Sequence, residues 1–330
     1  MGLKKKFHDG LRWVGSRTGA RGAVLLYHRV DEPSRDPFGL CVSPVRFEEQ
    51  MRVLAERGCA LSLDEFLGRQ RIGALERGSV CVTFDDGYDD VFRNAIPILE
   101  KYGIPATVFV ATGNLGRAFW WDRLHSLVAD AHRLPARLRL EESRNSVVNV
   151  GDCSRAEAYE RTYRILRTAE PSRREELIES ISTQLGDGVQ SEIPRAATSE
   201  ELREAAGHHL VTLQAHTVSH SRLSALSYGD QVEEIERSAS CVAEVTGRPV
   251  KAVSYPFGLR GRDYDANTLR AVSDAGLDYG FTADLDVVTR RTSMLEIPRL
   301  WVHDRGPRYF RGRLRFWLGG SREKPRAIER

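Results

Sequence analysis

Val80-Cys81-Val82-Thr83-Phe84-Asp85-Asp86-Gly87-Tyr88 decides the reading of this chain. The first five residues are apolar and largely β-branched, the signature of a buried strand. Asp and Gly are poor strand formers, so the strand stops at Asp85 and a turn begins. Two adjacent carboxylates at the mouth of a buried strand repel each other unless a cation or a proton separates them. The plainer alternative is a strand-to-helix turn capped by Asp89 or Asp90. The sharper one is that one Asp holds a metal and the other handles protons.

Outward from this stretch the same arrangement recurs. Ala23 to Tyr27 reads as a strand ending in His28, and Ala106 to Val110 as another. Leu210 to Ala215 leads to His216, Val250 to Ser254 leads to Tyr255, and Arg299 to Val302 leads to His303. Cys59 to Leu63 and Tyr279 to Thr282 complete a set of about eight strands. Helical patterns alternate with them. Ser43 and Pro44 open a helix with Phe47, Met51 and Leu54 on its inner stripe. Val91 to Tyr102 is a helix with Pro97 inside it, which implies a kink or a restart. Gln231 to Thr246 places Val232, Ile235 and Val242 inward. Strand-helix alternation of this kind favours an α/β fold, a distorted (β/α) barrel of seven or eight parallel strands, over an open sheet. In a barrel the strand C-termini share one rim, so Asp85, Asp86, His28, His216, Tyr255 and His303 are gathered at one end.

The domain plan is a basic segment over residues 1–21, a barrel over 22–304, and a basic aromatic tail over 305–330. Residues 115–200 interrupt the alternation. They are rich in Arg and Glu, with stripes such as Leu124, Leu127 and Val128, and read as a mostly helical insertion. Its middle, Arg137 to Cys153, reads as a hairpin or a loose loop.

Composition narrows the function classes. The 330 residues are 41% hydrophobic and 29% charged, ordinary for a globular protein. A net charge of +3 gives no case for nucleic acid. Cys41, Cys59, Cys81, Cys153 and Cys241 form no C-x-x-C pair, so neither a zinc ribbon nor a disulfide framework is expected. No stretch reaches the roughly 20 apolar residues of a membrane span. Lys4-Lys5-Lys6 has no apolar run behind it, which disfavours a signal peptide. The expected location is the cytoplasm, with a peripheral contact at the inner membrane surface through the basic termini as an option. Oligomeric state is not legible.

His216-Thr217-Val218-Ser219-His220 places two imidazoles four apart, facing the same way if they lie on a helical turn. Two imidazoles and one carboxylate make a three-ligand site with open positions, as catalytic zinc requires. The strand-end Asp pair supplies the carboxylate.

Thr83 to Tyr88, His216 to His220 and Ser254-Tyr255-Pro256-Phe257-Gly258 resemble, in this order, the first three motifs of the polysaccharide deacetylases, carbohydrate esterase family 4, with the NodB-like homology domain. Leu25 to Val30, Ser43 to Met51, Pro97 to Gly113 and Glu296 to Leu300 resemble a bacterial branch acting in exopolysaccharide pathways. The resemblance implies hydrolysis of an N-acetyl group on an amino sugar of a glycan or lipid-linked precursor. It makes Asp85 the general base, Asp86, His216 and His220 the ligands of a divalent metal (Zn²⁺, or Co²⁺ in its place), and the Phe257 N–H a donor to the acetyl oxygen. His303 is the candidate acid, and Tyr255, His28 and Arg299 are candidate substrate-side residues. Ser254 departs from the pattern, since relatives often carry a base-orienting arginine there, and Arg299 is expected to reach the same carboxylate from another strand. Three rival readings stand beside this one: an inactive glycan-binding relative, an iron-dependent oxygenase, which leaves Asp85 without a task, and a hydrolase of another non-peptide carbon-nitrogen bond.

Overall fold

A computed structural model describes residues 21–33, 35–140, 147–186 and 192–319. The expected basic segment lies almost wholly outside these residues, as does the tail beyond 319. The chain forms two compact units, Asn114–Ala196 and the remainder.

The larger unit is built on seven strands: β1 (Ala23–Tyr27), β2 (Val80–Phe84), β3 (Ala106–Val110), β4 (Val211–Ala215), β5 (Ala252–Ser254), β6 (Tyr279–Phe281) and β7 (Leu300–Trp301). Their spatial order is β6-β5-β4-β3-β2-β1-β7, and every pairing is parallel. A further parallel bridge joins Phe281 of β6 to Ile297, just ahead of β7. The sheet therefore curls back on itself as a distorted seven-stranded (β/α) barrel. Buried on both faces, such strands read as largely apolar, β-branched runs, and that made them visible in the sequence.

One expectation shifts, a second takes one of its two expected forms, and one strand pairing is sparse. Cys59 to Leu63 is no strand: Ala60 makes one bridge to Val80, and Ser62 then caps the helix that follows. Pro97 sits in the first turn of a helix, Ile96–Tyr102, entered from a π-helical turn over Val91–Ala95, so the chain restarts where the proline would otherwise break it. β4 and β5 pair only at Ala215 and Val253. Gln214 Oε1 supports the gap by accepting the Lys251 and Ala252 N–H groups at 2.9 and 2.8 Å.

Register fixes which side chains face inward. Val24 lies opposite Cys81, Phe109 opposite Gln214, and Phe281 opposite Ser254. Val24, Cys81, Phe109, Ala252, Phe281 and Ile297 belong to one apolar cluster that fills the barrel. Side chains alternate along a strand. Continuing by twos, His28, Asp85, His216, Ser254 and Arg299 fall on that inner face.

Helices α1 (Pro44–Arg57), α2 (Leu63–Arg71), α3 (Ile96–Tyr102) and, beyond the smaller unit, α7 (Ser199–Ala206), α8 (Tyr228–Thr246), α9 (Ala266–Asp274) and α10 (Pro307–Trp317) accompany the strands. The smaller unit holds α4 (Trp120–Asp130), α5 (Arg155–Leu166) and α6 (Pro171–Leu185), with an antiparallel pair, Arg137–Arg139 and Val147–Asn149. Trp120 and Trp121 are buried there; Trp120 stacks on Tyr163 with ring centroids 5.1 Å apart and takes the Arg174 guanidinium on its face. These tryptophans anchor the inner side of α4.

Candidate active site

β2 keeps its ladder for one residue past the strand, with the Asp85 N–H donating to the Tyr27 carbonyl. Asp86 then turns left-handed at φ 70°, followed by Gly87 at φ 80°. Asp85 therefore points inward while Asp86 swings across the rim. Across the rim, the His216 N–H donates to the Val110 carbonyl, and Thr217 and His220 adopt φ of 65° and 51°. This corrects the expected helical turn: two left-handed residues fold the segment back, and that reversal brings the imidazoles together. Among the described residues only four non-glycines have positive φ, namely Asp86, Thr217, His220 and Phe257. Each such conformation costs about 1–3 kcal/mol, and all four belong to the three motif segments.

His216 Nε2 stands 3.5 Å and His220 Nε2 3.3 Å from Asp86 Oδ1, and the three donor atoms lie within 4.8 Å of one another. All three residues are buried. Ligands about 2.0–2.2 Å from one tetrahedral ion stand about 3.3–3.6 Å apart, so this spacing fits a zinc-type cation. Tautomer state fits too. His216 Nδ1 lies 2.8 Å from the Ser254 carbonyl, which only accepts, so Nδ1 carries the hydrogen and the Nε2 lone pair faces Asp86. Electrostatics favour positive charge here. Burial works against ionised Asp86, yet its contacts to His216 and His220 hold it well below the usual carboxylate range. Burial lowers and Asp85, then Asp86, raise the His216 pKa, with a net rise.

Asp85 stands outside this trio. Arg299 Nη1 donates to its Oδ1 and Nη2 to its Oδ2, both at 2.6 Å. Ser254 Oγ donates to Oδ2 at 3.0 Å and accepts from Arg299 Nη2 at 2.7 Å. Arg299 is itself fixed by its Nε bond to the Thr282 carbonyl at 2.8 Å and is only 1% exposed. Burial pushes the Asp85 carboxyl up, but Arg299 and then His216 outweigh it and keep it ionised. A serine fits at 254 because the guanidinium arrives from the residue just ahead of β7 and bonds both the serine and Asp85.

The remaining expected residues divide. His28 faces the pair: burial lowers its pKa while Asp86 and Asp85 pull the other way, and its buried Nδ1 has no protein partner among the described residues. His28, Trp301 and His303 form a ladder of rings with centroid spacings of 5.2 and 6.0 Å. Gln50 Nε2 holds the His303 and Arg305 carbonyls at 3.1 and 3.0 Å. Phe257 lies edge-on to His220. Tyr255 does not join the rim. Next to the inward Ser254 it points outward, is 1% exposed, and donates its hydroxyl to the Leu295 carbonyl. Asp90, the alternative helix cap, makes no side-chain cap bond; it accepts from Arg29 Nε at 2.7 Å and from the Val30 N–H at 2.9 Å.

Sequence reasoning missed Glu234 of α8. Its Oε2 accepts the backbone N–H groups of Val218 and Ser219 at 2.9 and 2.8 Å.

Comparison with known proteins supplies the family and supports the fold. Poly-beta-1,6-N-acetyl-D-glucosamine N-deacetylase of Staphylococcus aureus (strain MSSA476) is 25% identical over 294 residues, covering 85% of this chain and 78% of that protein. The structure of IcaB from Ammonifex degensii superposes with a TM-score of 0.57 at 20% identity, covering 91% of this chain and 98% of the other. The Streptococcus pyogenes deacetylase PplD, solved with acetate, gives 0.55 at 20% identity over 88% and 96%. The family model described as polysaccharide deacetylase matches residues 73–137 and 175–280, more than half of the chain, which therefore belongs to the polysaccharide deacetylase family.

Proposed function

We propose that this protein is a metal-dependent hydrolase that removes the N-acetyl group from an amino sugar of a glycan or lipid-linked saccharide. The observation that carries this is a buried carboxylate-imidazole-imidazole donor set beside a second carboxylate that an arginine keeps ionised and outside the set. The name of the S. aureus relative supports a β-linked N-acetylglucosamine polymer as substrate class.

Asp86, His216 and His220 would hold the divalent ion, Zn²⁺ or Co²⁺. When bound, it supplies a polarising charge for the acetyl carbonyl and an acidified water. Asp85 takes the proton of the attacking water, its carboxylate being held by Arg299 and Ser254. The Phe257 N–H meets the charge that develops on the acetyl oxygen. An amine leaves only if protonated, and His303 is the residue assigned to that step. His28, beside the acid pair, is assigned a contact to a substrate polar group.

A glycan binder without activity has no use for an ionised base beside three metal-type donors. The test is acetate release from N-acetylated glucosamine oligomers by Zn²⁺-loaded protein. Asp85→Asn is expected to lower kcat by about 10²–10⁴-fold while retaining metal. His303→Ala is expected to slow amide hydrolysis but spare an aryl acetate, whose leaving group needs no proton. No acetate release from wild type across a panel of N-acetylated glycans would reject the proposal.

A further inference from the structure

We infer that Glu234 is a positioning residue for the metal centre, holding the His216–His220 segment in its left-handed form through two backbone N–H groups. The inference rests on the metal reading above. It starts from a segment with no secondary structure of its own between β4 and His220. Such a segment must find partners for its backbone groups elsewhere.

Those partners lie on two sides. The Thr217 and Val218 carbonyls accept the Thr112 and Gly113 N–H groups at 3.1 and 2.8 Å. The Val218 and Ser219 N–H groups donate to Glu234 Oε2 at 2.9 and 2.8 Å. The segment is thus gripped on its acceptor side by the turn after β3 and on its donor side by α8. Gly113 allows the first grip, since a Cβ there would stand 2.6 Å from the Val218 carbonyl oxygen. Glu234 provides the second. Its neighbour Glu233 pairs with Arg237 in an exposed i,i+4 contact, whereas Glu234 turns away to the loop. A carboxylate gives the stronger charge-assisted bond to an N–H.

The consequence is mechanical. Thr217 and His220 hold φ values that ordinary side chains disfavour. Without Glu234 the Val218 and Ser219 N–H groups lose their partner, and the segment gains by relaxing toward water. His220 Nε2 then leaves its 3.3 Å station against Asp86. Glu234 touches neither substrate nor ion, so its effect falls first on metal affinity.

The experiment uses the full chain, stripped of metal and titrated with Zn²⁺ against a chromophoric chelator, with Co²⁺ absorption as second readout. Glu234→Ala is expected to weaken Zn²⁺ binding by about 10–100-fold, the usual effect of losing an outer partner of a ligand, and to change the Co²⁺ spectrum. Glu234→Gln keeps an acceptor oxygen and is expected to stay near the wild-type affinity. Where the alanine variant does not fold, judged by the melt of the metal-free protein, Glu234→Met keeps the length of the side chain and carries the same expectation. An alanine or methionine variant that binds Zn²⁺ as wild type does, with an unaltered Co²⁺ spectrum, overturns the inference alone. Wild-type protein that is folded yet binds no Zn²⁺ overturns the metal reading and the inference together.

Discussion

Asp85 and Arg299 are the residue pair on which the site balances. A buried carboxylate costs several kcal/mol unless it is paired and hydrogen-bonded, and Asp85 is both, through two arginine bonds and one from Ser254. The fork of a guanidinium matches a carboxylate in a way an ammonium does not. Arg299→Ala is therefore expected to cost about 3–5 kcal/mol of folding stability, because it leaves an uncompensated buried charge. It is also expected to lower kcat by about 10²-fold, because the base loses its orientation. Arg299→Lys, with the charge but no fork, should recover stability more than turnover. Urea melts and steady-state kinetics on one N-acetylated oligomer check both parts. Turnover unchanged in the alanine variant removes Arg299 from the positioning of Asp85.

Among elements, the loops after β3 and β4 decide whether the imidazoles converge. Gly113 is where this is most exposed to a single substitution. In Gly113→Ala the new Cβ would meet backbone, the Val218 carbonyl, at 2.6 Å, and no flexible side chain can yield. The expected outcome is a loss of about 1–3 kcal/mol, as for other overpacked sites, together with weaker Zn²⁺ binding, read from the metal-free melt and the chelator titration. A variant that matches wild type in both would show that the two loops slide past each other freely. The sequence carried some of this and hid the rest for physical reasons. Buried parallel strands announce themselves as mostly apolar runs: β1 is Ala-Val-Leu-Leu-Tyr, while β2 and β3 carry one threonine each and β4 carries Thr212 and Gln214. The acid pair and the histidine pair were visible because few structural uses place such groups at strand ends. Cys59 to Leu63 has a strand's composition, yet the capping bond of Ser62 starts a helix before a second bridge forms. The His216–His220 spacing suited a helical turn, and nothing local betrays that Thr217 and His220 turn left-handed, since neither is a glycine. Glu234 lies 16 residues from Val218, among other acids of an amphipathic helix. Only the fold separates it from them.

Across the whole molecule, buried charge is tolerated where a counter-charge was folded in with it. Asp263 is answered by Arg262, and Asp90 by Arg29, although burial still leaves the Asp90 carboxyl above its ordinary pKa. Asp284 is answered less well. Burial raises its pKa above the ordinary value; the Tyr264 hydroxyl, 3.3 Å from Oδ2, pulls it down only in part, and Glu296 raises it again. The Arg260 N–H and charge also lower it, although the Arg260 side chain pairs with Glu296, at 3.2 Å. The sign follows from linkage. A carboxyl with a raised folded pKa binds its proton more tightly in the native state than in the unfolded chain. Its penalty is absent below the unfolded value near ~3.9, grows as the pH rises through the folded value, and is complete above it. Asp284→Asn keeps an oxygen for the Tyr264 hydroxyl and removes the charge at every pH. The variant is therefore expected to melt higher than wild type at pH 7, with the gain shrinking as the pH falls and vanishing below about 3.9. Paired thermal melts of the metal-free proteins from neutral to acid pH measure it. Equal melting at pH 7 would mean that Tyr264 and the backbone solvate the ionised carboxyl as well as water does, and a gain that persists in acid would mean that it does not come from the charge of Asp284.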